Sequence, residues 1–173
     1  IIRSIQKWTD VSKINFNWLT MTEFFSALEK RRPAVNFATL VGHGTLRRGA
    51  MKDETRPIHD TEVEVMERLL KRSLRDGAIG FSTGLLYTHA RGAHMNEILR
   101  LVEILRGEKG IYATYVRDEG EGLVKAVEEA VTVARKSKVP LHISHLKAVG
   151  KKNWPLMNEA FNLIETAALN QLD

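Results

Sequence analysis

The residues with the clearest chemical potential are His145 and Lys147, which follow a short apolar segment at residues 139–143. This segment predicts a strand over residues 139–146. Because side chains alternate between the two faces of a strand, we expect His145 and Lys147 to share a face and His142 to face the outer helices. An imidazole beside an ammonium at a strand end is suited to an anionic ligand, although an ordinary strand end has the same composition.

Two other sequence patterns have residues that could form a functional site. The stretch Gly80–Gly84 has the letters Gly-x-Ser-x-Gly, but a nucleophile elbow requires a helix directly after it, and a loop is predicted there. A strand-to-loop turn is therefore favoured over a serine hydrolase. His43, between two glycines, is predicted to be a hydrogen-bonding group of the core rather than a ligand. The remaining histidines outside the first segment are expected to be solvated: His59, His89 and His94.

The pattern of apolar residues predicts an initial helix followed by four strand–helix units. Helices are predicted over residues 21–32 (capped by Thr20 or Thr22), from 61 to about 75 (with Glu64 in a capping box), and over 95–106, 119–136 and 154–169. Strands are predicted over residues 35–43, 78–82, 111–117 and 139–146, and residues 44–60 read as a loop.

Regular alternation of strands and helices indicates a parallel sheet with helices packed outside it, either open and doubly wound or part of a barrel. Ligands of both folds meet the carboxyl ends of the strands. The predicted strand ends carry polar groups: His43, residues 82–85, Tyr115 with Arg117, and His145 with Lys147.

Composition limits the class of protein. A chain of 173 residues with 43% hydrophobic and 27% charged residues is typical of a soluble globular protein. The net charge of +5 is modest and argues only weakly for nucleic acid, and no apolar run approaches the roughly 20 residues that span a bilayer. The chain has no cysteine, begins with Ile1, and carries no secretory signal. We expect residues 1–173 to be a single partial domain of a longer, cytoplasmic protein.

Four motifs occur in an order that resembles the D-aminoacylases, the N-acyl-D-amino-acid deacylases of the amidohydrolase superfamily. They lie at residues 41–47, 77–85, 112–119 and 143–147, the last followed by Gly150, Asn153 and Trp154. The resemblance runs from about residue 17 to residue 158. It implies a zinc-dependent hydrolase on a (β/α)8 TIM barrel, of which this chain supplies about four strand–helix units, and a substrate with an N-acyl-D-amino-acid amide bond.

The resemblance also implies roles for individual residues. His145 matches a zinc ligand, Lys147 a lysine that binds the substrate carboxylate, and Leu86 with Tyr87 the lining of the substrate pocket. Tyr115 stands where the family has a metal-ligand histidine. A phenol with a pKa of about 10 is a poor zinc ligand at neutral pH. The full-length protein would then use fewer metals, use a phenolate ligand, or be a divergent protein without deacylase activity.

The family's His-x-His motif, cysteine ligand and catalytic aspartate have no counterparts in this chain, so no catalytic residue is assigned within it. We expect the isolated chain to be inactive and to self-associate as a homodimer, with no nucleic-acid or membrane partner. The alternative is a non-catalytic barrel domain that binds a small anion or a protein partner, which Tyr115 favours.

Overall fold

The structure is a computed structural model that describes Asp10 and residues 17–52 and 56–169. The chain divides into two compact units, residues 1–37 and 38–173. In the first unit, helix α1 (Met21–Lys30) begins at a capping box. The Thr20 hydroxyl accepts from the Glu23 N–H at 3.1 Å, and the Glu23 carboxylate accepts from the Thr20 N–H at 3.1 Å. This confirms the helix and Thr20 as its cap. The helix ends two residues before the predicted end.

The second unit is a parallel sheet with its connecting helices. Its elements are β1 (Leu40–Gly42), α2 (His43–Met51), α3 (Asp60–Arg75), β2 (Gly80–Gly84), α4 (Thr88–Arg91), α5 (Met95–Gly107), β3 (Ile111–Tyr115), α6 (Leu123–Ser137), β4 (Leu141–Ile143) and α7 (Leu156–Leu169), with a 3-10 turn at Lys151–Asn153. The strands pair in the order β1-β2-β3-β4, and all three pairings are parallel. The predicted parallel sheet is therefore confirmed.

The core lies between the sheet and the helices on one of its faces. Helices α5 and α6 bury apolar residues at helical spacing: Ile98, Leu101, Val102 and Leu105 on α5, and Leu123, Val127, Val131 and Ala134 on α6. Phe81 and Tyr112 are opposite each other in the strand register, and both are buried. Beside them, a buried side-chain hydrogen bond joins β2 to β3, in which the Thr83 hydroxyl donates to the Thr114 hydroxyl at 2.7 Å.

The predicted loop over residues 44–60 is wrong, because helix α2 follows β1 directly. One side of α2 is buried, and its residues recur at helical spacing: His43, Leu46, Arg47 and Met51. Two of these four are polar, so the apolar pattern that marks a helix is absent. The preceding strand also begins five residues later than predicted, and Val35 and Phe37 are exposed.

The capping box of α3 lies two residues earlier than predicted. The Glu62 carboxylate, and not Glu64, accepts from the backbone N–H of His59 at 2.9 Å, and the helix begins at Asp60. The buried face is consequently Val63, Met66, Leu70 and Leu74. The predicted inward residue Leu69 is 39% exposed.

Strands β3 and β4 end earlier than predicted, at Tyr115 and Ile143, whereas β2 ends later, at Gly84. Strand β4 stops at Ile143, and the Leu141 and Ile143 side chains pack against the α6–α7 core. His142 between them is exposed on the opposite face, so the expectation that it faces the outer helices is wrong. Alternation shows which residues share a face, but not which face the helices cover. None of the described helices has the length and hydropathy needed to span a membrane.

Candidate active site

Glu119 is the centre of a polar cluster at the carboxyl ends of β3 and β4. Its side chain is 3% exposed. The Lys147 ammonium donates to one carboxylate oxygen at 2.5 Å, and the Tyr115 hydroxyl donates to the other at 3.2 Å. His145 Nδ1 lies 3.6 Å from the oxygen that Lys147 contacts. The structure thus joins three of the sequence-predicted residues through a fourth that the sequence did not indicate.

Backbone geometry brings these side chains together. The Ser144 N–H donates to the Thr114 carbonyl at 2.8 Å, which extends the β3–β4 pairing to the strand end. His145 then adopts a left-handed conformation with φ of 42°, so strand alternation stops there. The predicted proximity of His145 and Lys147 is nevertheless confirmed, since Lys147 Nζ lies 3.4 Å from His145 Nδ1. The Val149 N–H donates to the Glu119 carbonyl at 2.6 Å and fixes the following loop.

Aromatic rings extend the cluster toward the loop after β2. The Tyr115 ring meets the His145 ring edge-on at 4.4 Å between centroids, and the Tyr87 ring meets Tyr115 edge-on at 5.5 Å. Lys147 Nζ lies 5.3 Å from the Tyr115 centroid, within the range of a cation–π contact. Tyr87 is 57% exposed, so its ring offers a free surface beside Tyr115, while Leu86 in the same loop is half-buried.

The electrostatics of the cluster keep Tyr115 protonated. Burial, and then the neighbouring Glu119 carboxylate with its hydrogen bond, raise the pKa of Tyr115 above its ordinary value, although the Lys147 ammonium acts in the opposite direction. A phenol with a raised pKa is neutral near pH 7. The charges of the described residues therefore favour the phenol over the phenolate.

The donor set of the described residues does not by itself fit a zinc site. In that part of the chain, no group of three or more histidine, aspartate or glutamate side chains is arranged to hold a metal. Catalytic zinc sites use three protein ligands, and His145 is the single imidazole of the cluster. Its Nδ1 faces the Lys147 ammonium, which is a cation in its own right.

Two residues predicted at strand ends lie away from the cluster. His43 is fully buried and its Nε2 is 2.8 Å from a Glu97 oxygen, which confirms it as a hydrogen-bonding group of the core. Arg117 was expected on the face of Tyr115, but β3 ends at Tyr115 and the Arg117 guanidinium instead binds Glu129 on α6 at 2.8 and 2.9 Å.

The histidines expected to be solvated divide into two groups. His59 and His94 are exposed, as predicted. His89 is partly buried, and burial, followed by the nearby positive charges, lowers its pKa below the ordinary value. Its ring lies against Gly44, where an added Cβ would come within 2.3 Å of His89 Nε2.

Three curated relatives from Alcaligenes xylosoxydans xylosoxydans are similar to this chain. They are a D-aminoacylase (39% identity over 157 residues), an N-acyl-D-aspartate deacylase (39% over 157) and an N-acyl-D-glutamate deacylase (37% over 134). The matches cover 91%, 90% and 78% of this chain. The chain is a homologue of the D-aminoacylases. It spans 32%, 32% and 28% of these relatives' own lengths, and no protein family model matches it.

Solved structures of D-aminoacylases and their relatives share the fold. A D-aminoacylase with a binuclear metal centre, in which one metal activates and the second attenuates, superposes with a TM-score of 0.86 at 40% identity. An N-acyl-D-glutamate deacylase from Bordetella bronchiseptica, complexed with zinc and a phosphonate mimic of the tetrahedral intermediate, gives 0.87 at 30% identity. The matches cover 91% and 90% of this chain and 33% of each structure. The sheet and its helices are thus part of an amidohydrolase barrel, as the sequence predicted.

Proposed function

We propose that the full-length protein hydrolyses the amide bond of N-acyl-D-amino acids, and that this chain forms the part of its barrel that carries His145 and Lys147. The observation that carries the proposal is the similarity over most of the chain to three deacylases that differ in the amino-acid side chain named but share the N-acyl-D-amino-acid class.

Lys147 is proposed to bind the substrate carboxylate. Its side chain is 51% exposed, yet the buried Glu119 carboxylate holds its ammonium in place at 2.5 Å. A lysine ammonium has three donors, of which Glu119 accepts one at 2.5 Å and the His145 carbonyl accepts a longer bond at 3.4 Å. Lys147 is therefore a positioned point charge, and an incoming carboxylate would replace its long contact with the His145 carbonyl. Tyr87, whose ring lies 5.5 Å from that of Tyr115, is proposed to line the substrate pocket on one side of this charge. Leu86, the preceding residue of the same loop, is proposed to line the pocket as well.

His145 is proposed as the one metal ligand that this chain contributes, with the other ligands and the general-base carboxylate supplied by residues outside it. Zinc, when bound, lowers the pKa of its water to about 7 and so provides a nucleophile. The residues of this chain position the groups of the site. Glu119 binds Lys147 and Tyr115, and the Tyr115 ring packs edge-on against the His145 imidazole.

The test is hydrolysis of N-acetyl-D-amino acids by the full-length protein, compared with the L enantiomers. We expect turnover of the D series, and a Lys147→Met variant whose KM rises about tenfold or more because a charge-assisted contact is lost. Lys152→Met is the matched control, since Lys152 pairs with the exposed Glu121 away from the cluster. Absence of turnover, or equal effects of the two lysine variants, would contradict the proposal.

The second candidate is a non-catalytic barrel domain that binds a small anion or a protein partner, which Tyr115 favours because it stands where the family has a metal-ligand histidine. The similarity to three deacylases favours the enzyme instead. Metal analysis of the full-length protein separates the two candidates. A metal-free protein that binds acyl amino acids without turnover would be the non-catalytic domain.

For the isolated chain we propose self-association as a homodimer, with no nucleic-acid or membrane partner. What supports self-association is the sheet, which in the described residues ends in β1 on one side and β4 on the other. A cytoplasmic location stays a prediction from the sequence.

A further inference from the structure

The segment between β2 and α5, residues 85–94, carries Tyr87 and is called here the β2–α5 loop. It begins with the Leu85 N–H bonded to the Tyr115 carbonyl at 3.0 Å, and it contains the short helix α4. Three of its residues are buried and serve as its floor: Leu85, Ala90 and Ala93. Tyr87 is exposed above them.

The buried Arg47 side chain binds this loop. From helix α2, its Nη1 donates to the His89 carbonyl at 2.7 Å, while its Nε donates to a Glu97 carboxylate oxygen at 3.1 Å. Arg47 is 3% exposed and Glu97 is 4% exposed. His43 Nε2 contacts the same oxygen at 2.8 Å, so the carboxylate that orients Arg47 is itself fixed from a second direction.

Arg117 binds the far end of the loop in the same manner. Its Nη1 donates to the Arg91 carbonyl at 2.8 Å, and its Nη2 donates to the Ala93 carbonyl at 2.9 Å. The other edge of the guanidinium forms a fork with the Glu129 carboxylate on α6, with Nε at 2.9 Å and Nη2 at 2.8 Å. Each arginine thus joins a helix carboxylate to backbone carbonyls of the loop.

These contacts use a property that arginine has and lysine lacks. The last carbonyls of a helix have no partner within it, and a cation there is favourable. A planar guanidinium with five donors can satisfy several carbonyls and a carboxylate at once. The Tyr87 ring packs closely over Gly84 at the end of β2, where an added Cβ would come within 2.6 Å of it.

We propose that the β2–α5 loop is a fixed wall of the active site, held by Arg47 and Arg117 as positioning residues, rather than a lid that opens in each turnover. Lids move through segments with few contacts to the remainder of the protein. This loop instead has three arginine–carbonyl bonds and a buried floor. The wall holds Tyr87 against Tyr115, 5.5 Å between centroids, and so fixes the side of the pocket next to Lys147.

Hydrogen exchange of the full-length protein, followed by mass spectrometry, tests the clamp without reference to activity. In Arg117→Met we expect amides of residues 85–94 to exchange about tenfold faster or more, with those of β3 unchanged. Arg117→Lys should give an intermediate rate because it keeps the charge and loses the fork. Arg100→Met is the matched control, since Arg100 on α5 bonds Glu67 and Asp60 of α3.

Unchanged exchange of the loop in Arg117→Met would overturn the proposal. Equal acceleration throughout β2 and β3 would overturn it too, because Arg117 would then support the whole sheet rather than the loop. If Arg117→Met does not fold, Glu129→Gln weakens the fork while the guanidinium stays. The same local acceleration, smaller in size, is expected there, and its absence would again overturn the proposal.

Kinetics test the functional half, which rests on the proposed deacylase function. With N-acyl-D-amino acids as substrates, Arg117→Met should raise KM about tenfold and leave kcat within about twofold of the wild-type value. The reason is that the wall contributes to binding of the substrate in its ground state. A changed kcat at constant KM indicates a lid and would overturn the wall. Wild-type protein without deacylase turnover would remove the proposed function, while the exchange experiment would still decide whether the two arginines hold the loop.

Discussion

At the scale of single residues, the candidate site depends on one carboxylate. Glu119 is nearly inaccessible to solvent and contacts both Lys147 and Tyr115. A buried carboxylate needs a compensating charge or donors, whereas a half-exposed ammonium can be hydrated. The pair is therefore asymmetric, because Glu119 depends on Lys147 more than Lys147 depends on Glu119.

This asymmetry predicts the stability of two variants. Lys147→Met should lower the free energy of unfolding by about 1–3 kcal/mol, because it leaves the Glu119 carboxylate buried without its cation. The double variant Glu119→Gln with Lys147→Met should cost less than the sum of the single changes, as expected for residues in contact. Chemical denaturation of the full-length protein measures all three. Strictly additive values would show that the 2.5 Å contact carries no coupling.

Tyr115 carries a second prediction at this scale. Tyr115→His in the full-length protein should increase bound zinc, because it places a second imidazole next to His145, whose ring centroid lies 4.4 Å from that of Tyr115. Metal content by mass spectrometry is the measurement. Tyr87→His is the control, since Tyr87 contacts Tyr115 from the loop side. Equal zinc in Tyr115→His and wild type would count against the assigned site.

At the scale of elements, the sequence predicted the helices that bury apolar residues and missed the helix that buries polar ones. Helices α5 and α6 bury apolar residues at helical spacing, so the sequence pattern predicted both, although α6 begins at Leu123 rather than at the predicted Glu119. Helix α2 buries His43 and Arg47, which are compatible with the core only because Glu97 binds both. That partner is 54 and 50 residues away in the chain, so no local window contains the signal.

The same reasoning separates the parts of the site. His145 and Lys147 are neighbours in sequence, and their proximity was predictable even though the left-handed backbone at His145 invalidates the alternation argument. The contacts of Lys147 with Glu119 and of Tyr87 with Tyr115 join separate strand–helix units. A single sequence shows the order of such units, but not which side chains meet across their ends.

The β2–α5 loop provides a pH prediction. The pKa of His89 is lowered, first by burial, so the folded state resists protonation of this ring. The unfolded state binds the proton more readily, so the contribution of His89 to stability is present above its unfolded pKa of about 6.5 and is lost as pH falls below it. His89→Gln should therefore flatten the decline in unfolding free energy as pH falls below about 6.5. Parallel curves for variant and wild type would contradict this assignment.

At the scale of the whole molecule, the resemblance assigns a metal-ligand role to one residue of the 173-residue chain, His145. Because catalytic zinc sites use three protein ligands, we expect the chain alone to show no deacylase turnover. The measurement is release of the free D-amino acid from N-acyl substrates with added zinc, against a His145→Ala control. Turnover above that control would show that the described cluster suffices.

The isolated chain also leaves sheet edges and apolar side chains without partners. Among the described residues, β1 and β4 each pair on one side only. Ile79 is 46% exposed, and Ile111 and Leu141 are half-buried. Phe81 on β2, in contrast, is fully buried within the chain. Exposed apolar side chains cost roughly 1.5–3 kcal/mol each relative to burial, and unpaired edges accept strands from other chains.

We therefore expect the isolated chain to form a homodimer at micromolar concentration, because a two-fold contact covers the same surface on both copies. Size-exclusion chromatography with light scattering measures the mass, and a cooperatively folded monomer of 19.6 kDa would sink the idea. If β4 edges pair with each other, His142→Glu should weaken the dimer, since like charges on paired strands repel. His94→Glu, an exposed histidine of the β2–α5 loop, is the control and should leave the dimer intact. Equal weakening by both variants would show that net charge, rather than the β4 edge, governs the association.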